Sequence, residues 1–256
     1  MNTVKEIFDK LCEIAPLDLQ LEFDNSGFLI GRAEEPVKRA LLSLDVTEEV
    51  VDEAAEKGIQ LIVTHHPVIF DPMKSLTDQT VGNKKLLRLI ENRIAVISMH
   101  TNLDIAEGGV NDALISLLGA SNEGTFDEEG CGRMGRLEKP MPLEDFLPIC
   151  REKLRTRGLR YYDAGRPVER IGVLGGSGGS NLLGAWKAGC DTYVTADIKY
   201  SVFLTARELG LNLIDGDHFC TENPVISILA EKLRSAFPET EFIISDRHDQ
   251  TVRFFK

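Results

Sequence analysis

The sequence predicts an α/β protein made of two similar α/β domains from an internal duplication, each with a mostly parallel sheet flanked by helices. Three observations carry this expectation. Short apolar runs alternate with amphipathic helical stretches through both halves of the 256 residues, the pattern of βαβ units. The series also occurs twice. Val63-Thr64-His65-His66 aligns with Val194-Thr195-Ala196-Asp197 at an offset of 131 residues (63 to 194), and the same offset pairs Leu42-Ser43-Leu44-Asp45 with Val173-Leu174-Gly175-Gly176. Finally, the apolar runs end in histidines and acids, and open α/β sheets bind ligands at the carboxyl ends of their strands.

The elements follow in order. Val4, Ile7, Phe8, Leu11 and Ile14 recur at helical spacing, so residues 3–14 form a helix that Pro16 ends. Asp24-Asn25-Ser26-Gly27 reads as a turn before a short strand. From Arg39 the chain reads strand (RALLSLD), helix (TEEVVDEAAEKG) and strand (IQLIVTHHP), with Thr47 as N-cap and Gly58 as the helix stop. A polar loop precedes the helix NKKLLRLIENR, the strand IAVISMHTNLD and the helix GGVNDALISLLG. Residues 120–135 lose periodicity and gain glycine and acid, which places the division between residues 1–124 and 125–256. A helix with its entry turn spans residues 140–157. The second series is IGVLGG, LLGAWKAG, CDTYVTADIKY, VFLTARELG, LNLIDGDHF and ENPVISILAEKLRSAF, and a terminal strand then packs back on the first domain.

Composition excludes several classes. Hydrophobic content of 43% and charged content of 27% belong to an ordinary globular protein with a core. No apolar run approaches bilayer-spanning length, and the acid-containing start MNTVKEIFDKLCEIAP reads as an amphipathic helix rather than a signal peptide. Five cysteines, an odd number with no CxxC pair, fit a reducing cytoplasm. A net charge of −12 argues against a nucleic-acid partner and is compatible with divalent cations.

Four of the five histidines lie at predicted strand ends. His65 and His66 stand side by side before Pro67, which stops the strand and turns it outward. The third strand of each series ends in an H-x-x-x-acid sequence, His100 to Asp104 and His218 to Glu222. A four-residue step keeps both side chains on one side in either strand or helix. Imidazole with carboxylate suits Zn, Mn, Fe, Co or Ni. His65, His66, Asp104, His218 and Glu222 exceed what one tetrahedral ion needs, and Asp104 and Glu222 could bridge two divalent ions. Such a pair polarises a substrate oxygen and lowers the pKa of a bridging water. His100, at the position equivalent to His218, is a ligand, a general acid/base or a hydrogen-bonding support for a ligand. Asp45 reads as a turn or cap residue or as such a support, and Asp197 and Lys199 as a solvated ion pair or as cleft-facing groups. GGSGGS (175–180) reads as a tight strand-to-helix turn, since it lacks both the dinucleotide fingerprint and the Walker lysine. Cys220 reads as packing and His248 as surface.

FDNSGFLIG (23–31), LDVTEEVVDEA (44–54), THHP (64–67), HTNLD (100–104), GGSGGS, TADIKY (195–200) and GDHFCTE (216–222) together resemble the dinuclear metal-centre family related to the Ngg-interacting factor, whose bacterial members carry the name GTP cyclohydrolase 1 type 2 homologue. The resemblance runs nearly end to end. It departs at Ala196, where glycine is usual, and at Phe219-Cys220. It implies that His65, His66, Asp104, His218 and Glu222 hold two metals in the cleft between two α/β domains, in a toroidal homohexamer. It also implies water attack on the imidazole ring of a purine nucleotide, opening GTP toward a formamide product. Two functions are therefore expected: a divalent-metal hydrolase acting on a nucleotide or other small phosphorylated compound, or a non-catalytic metal-holding assembly or interaction protein.

Overall fold

A computed structural model of the chain describes residues 1–255. Local sequence sets its first elements. Strand β1 (Asn2–Thr3) ends on Thr3, which caps helix α1 (Val4–Ile14): the Thr3 hydroxyl accepts from the Glu6 amide and the Glu6 carboxylate accepts from the Thr3 amide. This reciprocal pair satisfies two amides that a helix start otherwise leaves unbonded. Then follow β2 (Gly27–Ile30), β3 (Pro36–Val37), β4 (Arg39–Ser43), α2 (Glu48–Glu56), β5 (Leu61–Thr64), α3 (Val81–Glu91), β6 (Ala95–Ser98) and α4 (Thr101–Ile105). Thr47 caps α2 by accepting from the Val50 amide, and Gly58 follows the helix at φ +62°. The chain continues through α5 (Val110–Leu117), β7 (Ala120–Thr125), β8 (Arg133–Met141), α6 (Leu143–Leu154), β9 (Arg160–Tyr162), β10 (Val168–Val173), α7 (Leu182–Lys187), β11 (Thr192–Thr195), α8 (Tyr200–Leu209), β12 (Asn212–Asp215), α9 (His218–Glu222), α10 (Pro224–Ala236) and β13 (Glu241–Ile244).

Two compact units result. One combines Met1–Ala106 with Ile226–Asp249, and the other combines Glu107–Val225 with the tail from Gln250. The division expected at residue 124 differs from this one for two reasons. Helix α5 packs on β7 and β8 of the second unit, and β13 pairs in parallel with β4, returning most of α10 to the first unit.

The first unit holds a five-stranded sheet in the order β13-β4-β5-β6-β2, parallel except for β2. Leu41, Val50, Val51, Ile62, Leu89 and Val96 fill the layer between this sheet and helices α2 and α3. The register pairs Ser43 with Thr64 and Thr64 with Ser98, so three strands finish level. Asp45, His65, His66 and His100 follow directly after those ends.

The second unit holds six strands in the order β7-β8-β10-β11-β12-β9. Strands β10, β11 and β12 are parallel, but β7, β8 and β9 are antiparallel, so this sheet is mixed. The stretch at 120–135, expected to mark the domain boundary, is largely the β7–β8 hairpin. Its first strand is an edge with five consecutive exposed residues, and no alternation marks it. Phe146, Cys150, Leu154, Val173, Val194 and Ile214 form one core cluster, and Ala185, Tyr193, Ala206 and Leu213 form another. Both units thus share three consecutive parallel strands with an antiparallel neighbour beside the third. Strands β5 and β11 have identical extents at the 131-residue offset (61 to 192). No helix among the described residues is long and apolar enough to cross a membrane.

Candidate metal centre

In the first unit the level strand ends bring His65, His66 and His100 together, each with a ring nitrogen within 4.8 Å of the others'. Asp104 joins them: its Oδ1 lies 3.7 Å from His65 Nε2. In the segment HTNLD, for which strand and helix were both open, His100 is the N-cap and Asp104 lies within the single helical turn α4. His65 is fully buried, and His66 and His100 are partly buried.

The other ring nitrogen of each histidine is engaged, and this sets the donor atom. His65 Nδ1 lies 2.8 Å from the Met99 carbonyl oxygen. A carbonyl only accepts, so Nδ1 carries the proton and Nε2 the lone pair. His66 Nδ1 lies 2.7 Å from Asp45 Oδ1, and His100 Nδ1 lies 2.7 Å from Asp24 Oδ1. Burial alone would raise both carboxyl groups. Hydrogen bonds outweigh it: His100 and Thr101 hold Asp24 well below the usual carboxylate range, and His248 and His66 do the same for Asp45. Both acids therefore stay ionised and accept from Nδ1–H. Histidines oriented in this way present Nε2 as a metal donor.

The second unit carries the other predicted donors. His218 opens α9 and Glu222 closes it, with His218 Nε2 3.1 Å from Glu222 Oε2. Asp197 Oδ2 lies 2.7 Å from His218 Nδ1, the arrangement already seen for His66 and His100. Burial would lower the pKa of His218, but Glu222 and then Asp197 lift it to about 9. An imidazole flanked by two acids holds a proton in the place a cation would take. Asp197 (φ 52°) and Asp217 (φ 75°) adopt left-handed backbone, which aspartate tolerates better than most residues. Gly176 of GGSGGS sits at φ +65°, and a Cβ there would fall 2.1 Å from Glu222 Oε1. The turn is thus shaped to admit the Glu222 carboxylate.

The donor chemistry in each unit fits a borderline divalent cation. Cys220 is buried in a core cluster and supplies no ligand to the His–Glu pair. Lys199 precedes α8 and is exposed. His248 corrects the surface reading: its side chain is 6% exposed, and Nε2 lies 3.0 Å from Asp45 Oδ2. Asp24 was passed over as a turn residue, although an acid next to Asn-Ser-Gly was its one local signal.

This geometry defines an α/β protein whose strand ends carry donor clusters able to hold divalent metal ions. The chain belongs to the Duf34/NIF3 (NGG1p interacting factor 3) family, whose model matches residues 2–250. It is 36% identical to a Clostridium perfringens protein named GTP cyclohydrolase 1 type 2 homolog over 259 residues, covering 98% of this chain and 99% of that one. Among solved structures it is similar to a Bacillus cereus protein related to NIF3 (TM-score 0.89, 25% identity, 99% of each chain). It is also similar to reduced HcgD from Methanocaldococcus jannaschii (TM-score 0.85, 31% identity, 96% of this chain and 98% of that one).

Proposed function

We propose that the chain is a divalent-metal-dependent hydrolase with a dinuclear centre, and that its substrate is a nucleotide or related phosphorylated compound. One observation carries the reading. Each of the four strand-end histidines has Nδ1 bonded to a carboxylate or carbonyl, which leaves Nε2 for metal ligation by His65, His66 and His218 and for proton transfer by His100. His65, His66, Asp104, His218 and Glu222 would hold the ions. When bound, the ions supply Lewis acidity and lower the pKa of a water. His100 moves a proton: with Asp24 on its Nδ1 and a lone pair on Nε2, it is built as a general base. The purine-nucleotide assignment rests on the name of the Clostridium perfringens relative. The shared strand order and the matched positions of β5 and β11 support an internal duplication, which would explain why both units keep donors at strand ends.

The test strips the protein of metal, reloads it with Mn or Zn, and offers GTP and other nucleotides. Turnover above a His65→Ala/Glu222→Ala control supports the reading, and its absence contradicts it. Measuring oligomer size with and without chelator tests the toroidal homohexamer. Size that depends on metal, with no substrate consumed, would favour a metal-holding assembly instead.

A further inference from the structure

We infer that His248, on the arm after β13, is a positioning residue for His66 and acts through Asp45 to fix a metal-binding ring; the inference rests on the metal-binding reading above. Asp45 meets one imidazole on each carboxylate oxygen, His66 Nδ1 on Oδ1 at 2.7 Å and His248 Nε2 on Oδ2 at 3.0 Å. A carboxylate turns broadly about its last torsion, so a single partner leaves its plane loosely set. A second donor on the other oxygen fixes the plane and with it the direction of the His66 ring. Asp45 is 42% exposed, so water would compete for an oxygen that His248 did not hold.

The arm is itself anchored to the strand that leads to Asp45. The Ser245 amide donates to the Leu42 carbonyl at 2.8 Å, extending the pairing of β13 with β4. Glu53, buried on α2, accepts from the Ser245 hydroxyl at 2.5 Å and from the Asp246 and Arg247 amides at 3.2 and 3.3 Å. The Arg247 guanidinium pairs with Glu56. The His248 amide then donates to Ser245 Oγ at 3.2 Å, which turns the imidazole inward.

The test uses the full chain with His248→Ala and His248→Gln, loaded with Co(II) alone. Affinity is read by competition with a chromogenic chelator and geometry by the visible Co(II) absorption. His248→Ala is expected to weaken Co(II) about tenfold and shift the spectrum, and His248→Gln, whose side-chain amide still donates to Asp45, to stay within about threefold of wild type. Unchanged affinity and spectrum in His248→Ala overturn the inference. So does a His248→Gln variant that melts like wild type but binds no better than the alanine variant, which also guards against loss of fold. His66→Ala separates the underlying reading: wild-type Co(II) affinity in that variant would contradict the metal assignment itself.

Discussion

Asp24 and His100, 76 residues apart in the chain, meet at 2.7 Å between Oδ1 and Nδ1. The other oxygen of Asp24 accepts from the Thr101 amide at 3.0 Å, from the Thr101 hydroxyl at 2.5 Å and from the Ser26 hydroxyl at 2.8 Å. One buried acid therefore fixes both the His100 ring and the start of the helical turn that carries Asp104.

Replacing that acid should separate chemistry from stability. Asp24→Asn keeps an acceptor near Nδ1 but loses the charge, and turnover per bound metal should fall about 100-fold. Asp24→Ala abandons several buried donors and should cost about 2–3 kcal/mol in urea unfolding. Turnover in Asp24→Asn equal to wild type would remove His100 from proton transfer.

Glu53 gives the stability a definite pH dependence. Its side chain is buried, which opposes its charge, but Lys57, the Ser245 hydroxyl and the Asp246 amide hold its pKa below the usual glutamate range. A depressed native pKa means that the unfolded chain binds more protons as pH falls. The contribution is therefore full above the unfolded value of about 4.3 and disappears as pH drops through the native one. Glu53→Gln should lose about 1.5–3 kcal/mol at pH 7 and progressively less on acidification. Urea midpoints at pH 7 and pH 3 check this, and a difference independent of pH would contradict it.

Gly176→Ala should disturb the second donor set. The added Cβ would meet Glu222 Oε1 at 2.1 Å, and the φ of +65° adds strain. Gly165→Ala is the control: at φ +71° it carries comparable strain with nothing within 4 Å. Both variants should lose about 1 kcal/mol of stability. Only Gly176→Ala should also lose metal affinity, read by chelator competition.

How much of this was legible in the sequence depended on range. His65-His66 before proline and the two H-x-x-x-acid sequences are local patterns, and the strand register turns them into clusters. Whether His100 and His218 lead into strand or helix was open, because a four-residue step serves both; the turns α4 and α9 decide it. Asp24 and His248 were illegible for the opposite reason. Their roles come from contacts 76 and 203 residues away, and locally they look like a turn and a polar tail. Strand β7 was missed because ASNEGT is an exposed edge with no apolar alternation. Its pairing with β8 supplies the order that its composition does not show.

Elemental analysis of the purified protein, alongside the His65→Ala and Glu222→Ala variants and their combination, counts the bound metal ions directly. Two divalent ions per chain are expected in the wild type, fewer in each single variant and none in the double variant. A metal-free wild type after loading with Zn or Mn, or a double variant that keeps both ions, would contradict it.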